Sequence, residues 1–172
     1  MREIADLAKR AELVSEVGQR VVELAGVEPG MTVLDAACGA GNAAIPAAQA
    51  GARTTGLDGS PDMLSLARER AADYMVEIDW VEGHVQEMPF ADGGFDRVLS
   101  VFGHMFASDH ERTAAELRRV LRPDGVIAVA SWTAERWGTE EHVSALLGDA
   151  SFERGTLEVE GELRGYLVAL IR

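Results

Sequence analysis

The chain has 172 residues, 47% of them hydrophobic, which is enough for one core, so a single domain over residues 1–172 is expected. Its formal net charge of −13, with no Lys/Arg cluster to interrupt it, repels phosphate backbones; a nucleic-acid partner is disfavoured and a small or cationic ligand is easier to admit. The lone cysteine, the acidic N-terminus without an apolar signal core and the lack of any membrane-spanning apolar stretch point to the reducing cytoplasm and to no membrane partner.

Ile4, Leu7, Ala11, Val14, Gly18, Val21, Val22 and Ala25 recur at helical spacing and predict a first helix that packs on a sheet and roofs its ligand. Residues 31–35 are compact and apolar enough for a buried parallel strand, and residues 42–50 are Ala-rich and helix-competent. Gly39 and Gly41 therefore fall at the carboxyl edge of a strand, where open parallel sheets bind ligands. A dinucleotide fingerprint needs a third glycine, but Ala44 stands there and the acid Asp35 precedes the turn, which fits a pyrophosphate poorly. A second acid, Asp58, ends the next strand. Together the two acids suit a ligand with a cationic amino-acid end and a free ribose diol.

Ser60, Pro61 and Asp62 signal a helix start, with the helix running to about Asp73. Val76, Ile78 and Trp80 alternate with Glu77 and Asp79, as in a half-exposed edge strand. Ser108 and Glu111 form a capping box for a helix ending near Leu121. Thr139 caps a short helix that stops at Gly148, and residues 156–160 meet residues 163–171 across a tight hairpin at Gly161-Glu162. The four histidines show no ligand spacing, so no metal is expected, and Cys38 reads as a small packing residue beside the turn.

From about Gly26 to Trp132 the chain resembles the class I S-adenosylmethionine-dependent methyltransferases of the group acting mainly on small molecules. The ordered blocks that carry the resemblance are residues 27–30 leading into the first strand, the glycine block 33–41 and the ribose block 57–64. The adenine block 83–90 with the fourth strand 95–100, and the helix, Arg122-Pro123-Asp124-Gly125 turn and fifth strand up to Trp132, complete it. The resemblance implies an α/β, three-layer Rossmann-like fold whose seven-stranded sheet is mostly parallel with an antiparallel last strand. It implies S-adenosyl-L-methionine as cofactor, S-adenosyl-L-homocysteine as product and a small-molecule acceptor.

Within the glycine block of Asp35, Ala37, Gly39 and Gly41, the resemblance gives Asp35 the ligand's ammonium, directly or through water; the structural alternative is that Asp35 only caps the turn. Asp58 has two carboxylate oxygens to match the ribose diol. Gly59 and Ser60 shape the adenine wall, and Met63 lies on the adenine ring or else is plain core. His84 stands where relatives usually have an acid that accepts from the adenine amino group, and the backbone N–H of Val85 compensates. Ser100 and Phe102 are expected as pocket wall. His104 is the best candidate base, the alternative being a residue that merely lines the pocket or faces solvent.

Relatives usually carry a long helical segment after the fifth strand and an insertion before the last. Here Trp132 is followed within a few residues by Trp137-Gly138-Thr139, so both are expected to be missing. Such trimming predicts an open active site, slow methylation by an isolated monomer and room for a homodimer to cover the apolar cleft. Two other readings are a non-catalytic S-adenosylmethionine or S-adenosylhomocysteine binding module and a nucleotide-dependent oxidoreductase.

Overall fold

A computed structural model describes residues 14–133, 139–148, 150–159 and 162–171. Strand β1, Thr32–Ala36, is buried on both faces, as expected for a central parallel strand covered by helices from two sides, and it pairs in parallel with β2, Arg53–Asp58, and β4, Phe95–Val101. Strand β3, Asp79–Glu82, lies at the edge beside β2, while β5, Leu121–Trp132, continues the parallel set beyond β4. Strands β6, Ala150–Val159, and β7, Glu162–Ile171, finish the sheet, with β7 inserted antiparallel between β5 and β6. The order of the seven strands is thus 3-2-1-4-5-7-6, the Rossmann-like arrangement expected. Val159 pairs with Glu162, in keeping with the anticipated reversal, although residues 160 and 161 lie outside the described residues.

Helix α1, Ser15–Leu24, buries Val17, Gly18, Val21 and Val22; Ile4, Leu7 and Ala11 of the expected stripe lie outside the described residues. It packs with α2, Ala44–Gln49, against the sheet. Helix α3, Pro61–Asp73, covers β2 and β3, and α4, His110–Val120, packs with α5, Glu140–Leu147, near β4 to β7. Ser60 and Thr139 cap α3 and α5 as their sequences indicate, each accepting from the amide three residues on.

Two sequence readings are corrected. The N-cap of α4 is Asp109, whose carboxylate accepts from the Arg112 amide at 2.9 Å; the Ser108 hydroxyl instead reaches Gln86. Strand β3 also starts later than the alternation from Val76 suggested. Met75 adopts a left-handed conformation with φ +54°, and the Val76 amide returns to the Ala71 carbonyl, so these residues close α3 rather than extend the strand. Trp80 does lie in β3, with its ring over Gly56 of β2.

The segment after β3 is held by α4. Glu116 accepts from the Met88 amide at 2.7 Å, and the Arg119 guanidinium donates to the carbonyls of Met88 and Phe90. Because α4 itself packs on the sheet, these bonds fix the loop that leaves His84 at the site's border.

Candidate functional site

The carboxyl ends of β1, β2 and β4 meet in one place. The turn after β1 is tight because Ala37 and Gly39 both take left-handed conformations, φ +56° and +53°, and the Cys38 amide bonds the Leu57 carbonyl at the end of β2. A β-carbon on Gly39 would also lie 3.3 Å from the Met63 methyl, so both conformation and space call for glycine. The Asp58 carboxylate organises this turn: one oxygen accepts from the Gly39 amide at 2.8 Å and the other from Ser60 at 2.9 Å. Each oxygen can still accept a further bond on the cleft side.

Asp35 sits beneath the turn, 1% exposed. Its Oδ2 accepts from the amides of Ala43 and Ala44, at 3.2 and 2.8 Å, and so caps the start of α2. Its Oδ1 is buried with no hydrogen-bond partner. Burial pushes the pKa of this carboxyl up to about 7, against the lowering effect of the two amides and with help from the negative Asp58.

The far wall comes from β4 and β5. Phe102 is left-handed at φ +61°, a conformation costing roughly 1–2 kcal/mol for a residue with a β-carbon. Its amide bonds the Ala130 carbonyl, and its ring stacks on Trp132 with centroids 3.9 Å apart and planes within 3°. Gly103 then passes so close to β1 that a β-carbon there would lie 2.2 Å from the Ala37 carbonyl oxygen, which no side chain permits. Between these walls lies a cleft of about 330 Å³ lined by Gly39, Asp58, Met63, Phe102, Phe106 and Trp132 among others. Phe106 is 74% exposed at its mouth.

The structure therefore brings Ala37, Gly39, Asp58, Met63 and Phe102 together on one surface, as the sequence indicated. Gly41 belongs to the same turn at φ +80°, but faces Trp80 and borders a separate cleft with Ser15, Arg70 and Tyr74. Gly59 lies against the exposed ring of His84, to which a β-carbon on the glycine would come within 2.9 Å. Val85 is half-buried against the core, and neither His84 nor Val85 lines the cleft. Trp137 lies outside the described residues.

Ser100 and His104 are corrections. Both are 0% exposed, beneath the cleft floor. The imidazole nitrogens of His104 sit 3.1 Å from the Ser100 hydroxyl and 3.0 Å from that of Ser131, and burial, with a smaller contribution from His110, pushes its pKa down to about 3. A base must reach the proton it removes, which this ring does not, and Ser100 points at the Ala36 carbonyl rather than at the cleft. Cys38 lines the cleft with a buried thiol whose pKa is pushed well up by burial, consistent with packing. Sequence reasoning missed Phe106 and Asn42, the available signal being a second aromatic, four residues after Phe102, in the loop following β4; Val14, in the stripe expected to roof the ligand, does line the cleft.

Residues 33–125 match the family described as "Methyltransferase domain". An uncharacterised protein of Mycobacterium tuberculosis is 38% identical over 91% of this chain and 68% of its own length, so the chain spans about two-thirds of that relative. The demethylmenaquinone methyltransferase of Renibacterium salmoninarum is 36% identical over 69% of this chain and 48% of its own length. Among solved structures, a SAM-dependent methyltransferase from Aquifex aeolicus superposes with a TM-score of 0.70 at 20% identity, over 90% of this chain and 89% of that one. With its glycine turn, its two strand-end acids and its sheet order all of one kind, the chain belongs to the methyltransferase domain family, as a class I enzyme that uses S-adenosylmethionine.

Proposed function

We propose that this chain transfers the methyl group of S-adenosylmethionine to a small-molecule acceptor that enters over Phe102, Phe106 and Trp132. The observation that carries the reading is a single cleft with Asp58 and the glycine turn on one wall and an aromatic surface on the other. The residues present fit the cofactor. Asp58 keeps acceptor capacity for two ribose hydroxyls, Gly39 leaves backbone exposed where a side chain would intrude, and the Asp35 Oδ1, buried without a hydrogen-bond partner beneath the turn, keeps an acceptor that would serve the cofactor's ammonium end. Met63 gives the adenine an apolar, polarisable neighbour, with Gly59, His84 and Val85 forming the border beyond it.

When bound, the cofactor supplies an electrophilic methyl on a sulfonium whose departure as a neutral thioether needs no acid. The chain's own contribution is then to bind and orient. Phe102 and Trp132, locked face to face, offer a flat apolar wall that fixes an acceptor in line with the methyl and excludes water from one side, which lowers the entropic barrier. With His104 buried, no base is assigned, and the open mouth at Phe106 lets the acceptor's proton leave to solvent. An acceptor with an apolar body matches this surface best.

Calorimetry tests the reading directly. S-adenosylhomocysteine is expected to bind the wild type, and Asp58→Ala to weaken it by about 1.5–3 kcal/mol, the range for hydrogen bonds to a charged group. Asp58→Asn, which keeps one acceptor oxygen, falls between the two. Equal affinity in all three proteins removes Asp58 from the site. Mass spectrometry of apolar small molecules incubated with enzyme and S-adenosylmethionine then reads for an added methyl.

A further inference from the structure

His104 begins a short 3-10 turn, His104–Phe106, immediately after the left-handed Phe102 and the closely packed Gly103. The hydrogen bonds around it assign its tautomer. The Ser100 hydroxyl has one hydrogen, which it gives to the Ala36 carbonyl at the end of β1. Toward His104 it acts only as an acceptor, taking the backbone N–H at 3.3 Å and the ring at 3.1 Å, so Nδ1 carries the ring proton. Nε2 is then the acceptor for the Ser131 hydroxyl at 3.0 Å. Ala36, Ser100, His104 and Ser131 form a directed chain across the carboxyl ends of β1, β4 and β5.

The residues that follow its anchors build the cleft. Ala37 comes directly after Ala36, Phe102 two residues after Ser100, and Trp132 directly after Ser131, and all three line it. Ala37 and Phe102 are also the two non-glycine residues at the cleft held in left-handed conformations, so something must hold them against relaxation. We propose that His104 is a positioning residue: by tying Ser100 of β4 to Ser131 of β5 beneath the cleft floor, it holds Ala37, Phe102 and Trp132 where the cofactor needs them. The proposal rests on the cofactor reading above. A neutral ring with one donor and one acceptor suits the task, because it satisfies two buried serines on different strands and adds no charge below a cationic ligand.

Three variants and one spectroscopic measurement test it. His104→Leu keeps an apolar residue of similar bulk but breaks the chain, and S-adenosylhomocysteine affinity is expected to drop tenfold or more, measured by calorimetry well below the melting temperature, where circular dichroism shows native protein. His104→Asn, which returns a donor to Ser100, is expected to recover much of that loss. Ser131→Ala removes the outer partner with little change in size and is expected to weaken binding several-fold. A His104→Leu protein with a lowered melting temperature and wild-type affinity overturns the proposal, since a merely structural role predicts that pattern. If His104→Leu does not fold, Ser131→Ala decides the matter on the same criterion.

Nitrogen-15 NMR of histidine-labelled wild type is independent of the ligand. It is expected to show His104 protonated on Nδ1 only, with no titration between pH 5 and 9; an Nε2-protonated or titrating ring overturns the assignment. Asp58→Ala separates the two readings. If Asp58→Ala loses affinity and the His104 and Ser131 variants do not, the positioning role alone fails. If wild type and Asp58→Ala bind alike, the cofactor reading fails first.

Discussion

Gly39 carries two constraints at once, a φ of +53° and the Met63 methyl 3.3 Å from any added β-carbon. Gly39→Val puts a β-branched residue into the left-handed region and displaces Met63, so S-adenosylhomocysteine binding is expected to vanish in calorimetry while circular dichroism stays native. Normal binding by the variant places the pocket elsewhere. Asp35 and His104 make a second prediction, because burial shifts them in opposite senses. The Asp35 pKa rises from 3.8 to about 7, so its contribution to stability is full below pH 3.8 and is lost as pH rises through 7. The His104 pKa falls from 6.5 to about 3, so its contribution is present above pH 6.5 and is lost as pH falls toward 3. Between pH 4.5 and 6 the two slopes oppose one another. Asp35→Asn removes one of them, so its stability in urea is expected to rise with pH relative to wild type by about 1 kcal/mol per unit in that window. Parallel profiles for the two proteins leave Asp35 with an ordinary carboxyl pKa.

Helix α4 shows how a local signal can be misread by one residue. Ser108 and Asp109 are both good cap residues, and the spacing to Glu111 favours Ser108. In the fold Asp109 has the extended conformation of an N-cap and accepts from Arg112, while Ser108 turns to Gln86. Thermal melts are expected to show Asp109→Ala destabilised by about 1 kcal/mol and Ser108→Ala nearly unchanged. The reverse order restores the capping box. This helix matters to the site because Glu116 and Arg119 on it hold the segment 88–92 that leads away from His84.

Over the whole molecule, the net charge of −13 sets what approaches the cleft. Neither tRNA nor duplex DNA is expected to bind in fluorescence anisotropy even at low salt; binding that weakens steeply with added salt contradicts this. Among the described residues no helix is long and apolar enough to cross a membrane. The fold gathers the ends of β1, β2 and β4 into the site because parallel strands present their carboxyl ends on one side.

The sequence by itself determined the glycine turn and the acids Asp35 and Asp58, because these rest on local spacing: an apolar run, a glycine pair and an acid at a strand end; the sheet class came from the family resemblance that those blocks carry. It also determined the caps at Ser60 and Thr139, where side chain and amide are three residues apart. What it left undecided depended on contacts between distant segments. The Asp35 side chain proved to cap α2 with one oxygen and leave the other orphaned, which follows from where β1 meets that helix. His104 resembled a base in the linear chain, but Ser131, 27 residues away and brought close by the pairing of β4 with β5, turned it into a buried tie. Only the tertiary structure decided between those roles, because burial and hydrogen-bond partners, rather than residue type, set what a histidine does.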